Sequence, residues 1–405
     1  MKKKVVVKMI DVVMRSGLDL DDQNWIFVES RSEFFGEFLI FPGAQIRIQI
    51  NHFMTILVTI NTQIKNQIID GFGTSTAWKG PCSDRIFKQL YGDLGYSILR
   101  IRIDEHKQWG PEVINAKKAQ SYNAKVFATP WTAPANMKIC GIDKSCPLRS
   151  DKYNDYADYL QSFVTYMKQN GAPLYAISMI NEPDFDPKGG YNTMSFTPEQ
   201  LLKFLKTSAK RISGTKIMAS EAYGWLSEKM NDPILNDPEA AERVDIVAAH
   251  GYAQQMGKSF WLTEYTSDGS DWKSVMKLAK DISDCMTKAK CNAFVHWWLH
   301  EDTQTMMILD KNEQLTPKAY VIGHYSKFVL PGFYCVSTSI PDNNNVLVIV
   351  NMAVPITQQF SINGIITKTS LTPYITSQGR NLQKQININL IGGKFSYSLP
   401  GQIDI

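Results

Sequence analysis

The chain has 405 residues, 44% of them apolar and 20% charged, and carries a formal net charge of +4. That length holds one large α/β barrel with an appendage, or two or three ordinary domains, and the composition is that of a soluble globular protein. The small net charge, with no basic block interleaved with aromatics, argues against nucleic acid as a partner, and no run of 18 apolar residues offers a membrane span.

In chain order, residues 1–52 come first and show no clear period of either kind. The start MKKKVVVKMIDVVMRSG has the lysines of a secretory leader, but Lys8, Asp11 and Arg15 interrupt any apolar segment, so it does not read as a working signal peptide. TILVTINTQ, within residues 53–66, has strand character. From residue 67 the chain alternates short apolar runs with amphipathic stretches: QIIDGFG, YSILRIRID, AKVFATPW, LYAISMINEP, KIMASEAYG, VDIVAAHGY, KSFWLTEYT and NAFVHWWLH. Eight such units over residues 67–328 predict an α/β fold, a (β/α)8 TIM barrel. Helices are expected between them, among them Asp151 to Gln169 and one opened by Thr197, Pro198 and Glu199. Residues 329–405 change character. Runs such as FYCVSTSI, NVLVIVNM and KFSYSL, separated by Asn, Gly and Pro turns, predict a side β-sandwich that the strand of residues 53–66 joins.

The stretch GFGTSTAW at residues 71–78 superficially matches a dinucleotide fingerprint, with Asp104 closing the next run. The third glycine is Thr76, and no helix can start before about Pro81, too late to face a phosphate at Gly73. Gly71 and Gly73 are instead expected to bring backbone close to a ligand groove, with Trp78 as its wall. No cofactor is expected.

In a barrel the C-terminal strand ends carry the chemistry. Here they hold Arg100, Arg102 and Asp104; Trp131; Asn181, Glu182 and Pro183; His250 and Tyr252; Glu264 and Tyr265; Trp297 and Trp298, of which Trp131, Asn181, His250, Tyr252, Tyr265, Trp297 and Trp298 are expected to touch a bound ligand and Arg100, Arg102 and Asp104 to support the site. Two carboxylates, Glu182 and Glu264, converging from different strands are what glycoside hydrolysis requires, one protonated and one ionised. The bland alternative is that each forms an ion pair at a loop. Trp78, Trp131, Trp297 and Trp298 can stack on the C–H faces of sugar rings or pack a core, and strand alternation turns one of the last two away from the lumen. His296 and His300 share a face if their strand continues, but no carboxylate or lysine set accompanies them, so no metal is expected. Cys140 and Cys146 flank a short loop, as do Cys285 and Cys291, and either pair could bridge or stay as buried thiols.

GFGTSTAW, LRIRID, ATPWTAPANMK, ISMINEPDF, AAHGY, WLTEYTSDGSDW and HWWL, in this order, resemble the signatures of glycoside hydrolase family 30, in particular its bacterial xylanase branch, over about residues 55–405. The resemblance implies a retaining endo-β-1,4-xylanase, a monomer acting on xylan or xylooligosaccharides outside the cell. By the same resemblance Glu182 is the general acid/base, Glu264 the nucleophile and Asn181 a partner of the substrate 2-hydroxyl. Trp131, Tyr252 and Trp298 match sugar-contacting positions, and Arg100 or Arg102 would hold Glu264 ionised. One departure stands out. Glucuronoxylan-specific members carry an arginine after the last barrel strand, whereas this chain reads WWLHEDTQTMMILDKNEQ, with Glu301 and Asp302 and no arginine. Independence from glucuronate side chains is therefore expected. The rival readings are another family 30 specificity (β-glucosidase-like, β-1,6-glucanase or glucosylceramidase), a carbohydrate-binding barrel without catalysis, and a metal-dependent barrel hydrolase.

Overall fold

The structure, a computed structural model, describes residues 9–12, 57–61, 66–188, 190–223, 227–250, 258–300, 307–334, 348–351, 356–363 and 369–399. All eight apolar runs become strands: β1 (Gly71–Ser75), β2 (Ile98–Ile103), β3 (Lys125–Pro130), β4 (Ala176–Ser178), β5 (Lys216–Ala222), β6 (Ile246–His250), β7 (Ser259–Tyr265) and β8 (Ala293–His296). Each pairs in parallel with the next, and β8 pairs back onto β1 to close the barrel.

The period of two along each strand sorts its side chains between two cores. Ile98, Phe127, Met218, Ile246, Ala248, Trp261 and Val295 form one buried group contributed by the strands. Their neighbours Leu99, Ile101, Val126, Val247, Phe260 and Leu262 join the larger core under the helices. Helix Tyr153–Gln169 buries Tyr156, Leu160, Phe163 and Met167 at helical spacing. Helix Pro198–Thr207 opens with a capping box in which the Thr197 hydroxyl accepts from the Gln200 backbone N–H and the Gln200 side chain accepts from that of Thr197.

The glycines of GFGTSTAW serve this packing and not a ligand groove, which corrects the expectation from sequence. A Cβ on Gly73 would lie 1.8 Å from the backbone oxygen of Ile98, and one on Gly71, whose φ is 144°, would lie 2.2 Å from Ser97 Oγ. Only glycine lets β1 approach β2 this closely.

Outside the barrel, strand Leu57–Asn61 pairs in parallel with Ile356–Asn363, which pairs antiparallel with Lys394–Leu399. Strands from before and after the barrel thus share one sheet. Strand Met9–Val12, which lies in the stretch without a legible period, pairs with Val348–Asn351. Hairpin strands Tyr374–Ser377 and Arg380–Lys384 meet the barrel's last helix, Pro317–Ser326, where Phe328 packs on Tyr374 at 4.8 Å and His324 Nε2 lies 2.7 Å from Thr376 Oγ1. Of the two cysteine pairs, Cys140 and Cys146 are disulfide-bonded, whereas Cys285 and Cys291 are free and buried. Among the described residues no helix is long and apolar enough to cross a membrane.

Candidate active site

On β2, Arg100 follows Ile98 at the period of two and so points into the barrel above it. Its guanidinium is fully buried and forked. It donates to the Glu264 carboxylate, to Asn181 Oδ1 at 2.6 Å and to Thr129 Oγ1 at 3.3 Å, and it lies 3.2 Å from Glu221 Oε1. A rigid planar cation with several donors suits this task, since it orients groups from four other strand ends at once.

Two strand irregularities bring further acids to it. In β5 the register shifts between Ser220 and Ala222, making Glu221 the extra residue, and in β7 it shifts across Leu262 to Tyr265. A bulge re-aims the side chain beside it. Glu221 therefore reaches the Arg100 cluster, where Thr129 Oγ1 donates to it at 2.8 Å. Glu264 turns inward as well, which forces Tyr265 outward. Tyr265 packs on Phe294 and donates its hydroxyl to Asp281 under helix Trp272–Thr287, so its expected place in the ligand groove is corrected.

Glu182 sits just past β4 with φ at 44°, a left-handed backbone that non-glycine residues rarely adopt. Its carboxylate accepts from Tyr191 Oη at 2.7 Å and from Asn181 Nδ2 at 3.3 Å, and it lies 2.8 Å from His250 Nδ1. His250, expected to touch ligand, is thus a buried partner of acids, with Nε2 3.7 Å from Glu221 and Nδ1 3.9 Å from Glu264. One ligand atom each from Glu182, His250 and Glu264 lie within 4.8 Å of one another. That spacing would suit a metal ion, but each carboxylate is already bonded to protein donors and the Arg100 cation occupies the same cluster. A second set at that spacing, Glu105, His106 and Asp143, lies nearer the surface, with Glu105 also bonded by Asn192.

Burial pushes the Glu264 carboxyl up, and this outweighs the opposing charges of His250 and Arg100. Burial pushes the Glu182 carboxyl up as well, but the hydrogen bond and charge of His250 pull it below the usual range. Burial disfavours the His250 cation, but the surrounding carboxylates raise its pKa to about 10. Burial likewise works against ionised Glu221, yet Arg100 and His250 lower it to about 2. The shared proton of the Glu182–His250 pair therefore rests on the imidazole.

These shifts set a pH window for stability. His250, raised from 6.5, contributes fully below pH 6.5 and loses that contribution as pH rises toward 10. Glu221, lowered from 4.5, contributes above pH 4.5 and loses it as pH falls toward 2. Together these two groups contribute most between pH 4.5 and 6.5. Calorimetry of His250→Gln should show the alkaline limb flattened.

The indoles gather on one side of the mouth. Trp78, with φ at 60° and 42% exposed, lies edge-on to Trp131 at 4.6 Å and to Trp297 at 6.1 Å. Trp297 and Trp298 stack on each other at 4.9 Å. The expectation that one turns away fails because β8 ends at His296, so strand alternation does not extend to them. For the same reason His296 and His300 do not share a strand face. Arg100 lies 4.6 Å from the Trp131 ring, and Arg102 lies 4.8 Å from the Trp78 ring. Arg102 pairs with Asp104 at 2.9 Å and not with Glu264, and Asp104 also accepts from the backbone N–H groups of His106 and Gln108. Tyr252, Glu301 and Asp302 lie outside the described residues.

Sequence reasoning missed Glu221 and Tyr191. Glu221 closed an apolar run in plain view, but strict alternation from Met218 directs it outward, and only the bulge brings it in. Tyr191 stands in a loop with no motif around it.

Residues 85–320 match the glycosyl hydrolase family 30 TIM-barrel domain. Over 389 residues the chain is 32% identical to the glucuronoxylanase XynC of Bacillus subtilis, spanning 85% of this chain and 90% of that protein. A family 30 endoxylanase structure from Clostridium papyrosolvens is 35% identical with a TM-score of 0.76, covering 86% of this chain and 98% of the other. The subfamily 8 xylanase of Clostridium acetobutylicum is 36% identical with a TM-score of 0.77, covering 85% and 97%. A putative glucosylceramidase of Caenorhabditis elegans is more distant, 26% identical over 58% of this chain and 54% of its own length. With two glutamates facing each other across a closed barrel mouth and this match along the barrel, the chain belongs to glycosyl hydrolase family 30 and is an O-glycosyl hydrolase.

Proposed function

We propose that the chain is a retaining endo-β-1,4-xylanase that does not require glucuronate side chains. The observation that carries the mechanism is that Glu182 and Glu264 offer carboxylate oxygens within 4.8 Å of each other. Retention calls for carboxyl groups about 5–5.5 Å apart, whereas inversion needs about 6.5–9.5 Å to admit a water. Xylan as substrate is supported by the activities named for the relatives at 32–36% identity. Glucuronate independence is supported by the absence of arginine from WWLHEDTQTMMILDKNEQ.

Glu264 attacks the anomeric carbon while Glu182 gives its proton to the leaving glycosidic oxygen, forming a glycosyl ester on Glu264. Glu182 then takes a proton from water, the hydroxide oxygen displaces Glu264, and the anomeric configuration is retained. In the free enzyme the proton that Glu182 needs rests on His250, and moving it along the 2.8 Å hydrogen bond from Nδ1 converts an imidazolium–carboxylate pair into imidazole and carboxylic acid. Asn181, oriented by Arg100, presents its amide to the substrate 2-hydroxyl. Trp131, Trp297 and Trp298 stack on sugar rings. A polymeric substrate places the enzyme outside the cell, and we divide it at 52/53, 66/67 and 328/329 as on sequence.

Proton NMR of xylohexaose hydrolysis tests the mechanism, with the β-anomer expected first and the α-anomer counting against retention. Comparable turnover on linear xylooligosaccharides and glucuronoxylan is expected, and strict dependence on the glucuronate would sink that part of the proposal.

A further inference from the structure

The exposed aromatic surface at the mouth is not confined to the tryptophans. Phe185 and Tyr223 stack with ring centroids 4.2 Å apart and planes 19° apart, and Tyr223 is 50% exposed. Phe185 follows Glu182 by three residues and donates its backbone N–H to the Glu182 carbonyl at 3.1 Å. Tyr223 follows Glu221 by two, and its backbone N–H donates to Asp184 Oδ1 at 2.8 Å. The Glu182 N–H in turn donates to the Glu221 carbonyl at 2.9 Å. The two rings thus stand on loops laced to each other and to the backbone of Glu182, whose carboxylate faces the leaving group, so their shared face is already formed.

Position around the barrel gives this pair its meaning. In the closed strand order, Trp78 follows β1, Trp131 follows β3 and the Trp297–Trp298 stack follows β8, all on one arc. Phe185 and Tyr223 follow β4 and β5, and β5 stands diametrically opposite β1. A linear glycan crossing the mouth over Glu182 and Glu264 meets the indoles at one end and this pair at the other. The acid delimits the two ends, because sugars beyond the oxygen it protonates belong to the leaving group. An apolar stacked face suits the axial C–H faces of an unsubstituted pyranose.

We infer that Phe185 and Tyr223 form a stacking platform for the leaving-group side of the substrate, binding a β-linked pyranose two units toward the reducing end from the cleaved bond. The inference rests on the proposed xylanase reading. It assigns direction to the groove: the tryptophans hold the sugar that becomes covalently attached and those before it, and the phenylalanine–tyrosine pair holds what departs.

The test is the frequency with which each bond of reducing-end-labelled xylohexaose is cut, for the parent enzyme, Tyr223→Ala and Phe185→Ala, with thermal unfolding confirming that each variant is folded. Losing the platform should lower kcat/KM on xylohexaose about tenfold, as expected for one lost aromatic stack. Cleavage should shift toward the reducing end, because binding modes with more sugars beyond the cut lose most. Unchanged bond frequencies, or a shift toward the non-reducing end, overturn the platform while the parent's activity upholds the xylanase reading. A parent that leaves xylohexaose intact overturns that reading and the platform with it.

Discussion

Glu264→Gln should lower kcat on xylohexaose by about 10⁴-fold, at the upper end of what one catalytic group contributes, with little change in KM. The amide keeps the size of the carboxylate and can still accept from Arg100, so the fold and substrate binding should survive while nucleophilic attack does not. Glu182→Ala should behave differently. Its loss should be about 10²–10⁴-fold on xylohexaose and much smaller on an aryl xyloside, whose leaving group departs without a proton. Small anions sharpen the distinction. Azide should rescue Glu182→Ala to the β-glycosyl azide by attacking the glycosyl ester, and should rescue Glu264→Ala to the α-azide by attacking directly. Product NMR reads the configurations, and the reverse pattern would exchange the two roles.

Arg100→Leu should destabilise the protein by about 3–5 kcal/mol, the cost of leaving a buried ion pair half broken. The reason is specific. Arg100 is a fully buried permanent cation that, beside His250, faces both Glu221 and Glu264, and it also fixes Asn181 and lies against Trp131. Arg100→Lys should recover only part of the loss, because an ammonium cannot supply the planar fork that reaches these partners together. Denaturant unfolding of Arg100→Leu in a Glu221→Gln background checks the electrostatic origin. Removing the second charge should restore part of the lost stability, and strict additivity of the two substitutions would point to packing alone.

The period of two along the barrel runs is what made the site legible. LRIRID alternates apolar and charged residues, so Ile98 and Arg100 had to share one face and Leu99 and Ile101 the other, as they do. Pro183 after Glu182 likewise marked a strand end with a carboxyl at the rim. The same rule failed wherever a strand departed from it. In β7 the register shift turned Glu264 in and Tyr265 out, and in β5 it delivered Glu221 to a buried cation. A bulge leaves no mark in composition or period, because it is selected by the pairing of strands distant in sequence.

By itself, then, the sequence determined the eight-stranded barrel, the strand from before it that pairs into the C-terminal sheet, and the pair of glutamates at the mouth. These follow from local periodicity and from where apolar runs end. Only the tertiary structure decided which arginine faces Glu264, that His250 serves the acids and not the ligand, that β1 needs glycine against β2, and that Phe185 meets Tyr223 across two loops. Each of these depends on contacts between residues tens of positions apart, and desolvation and charge pairing there are properties of the closed barrel that no single strand carries.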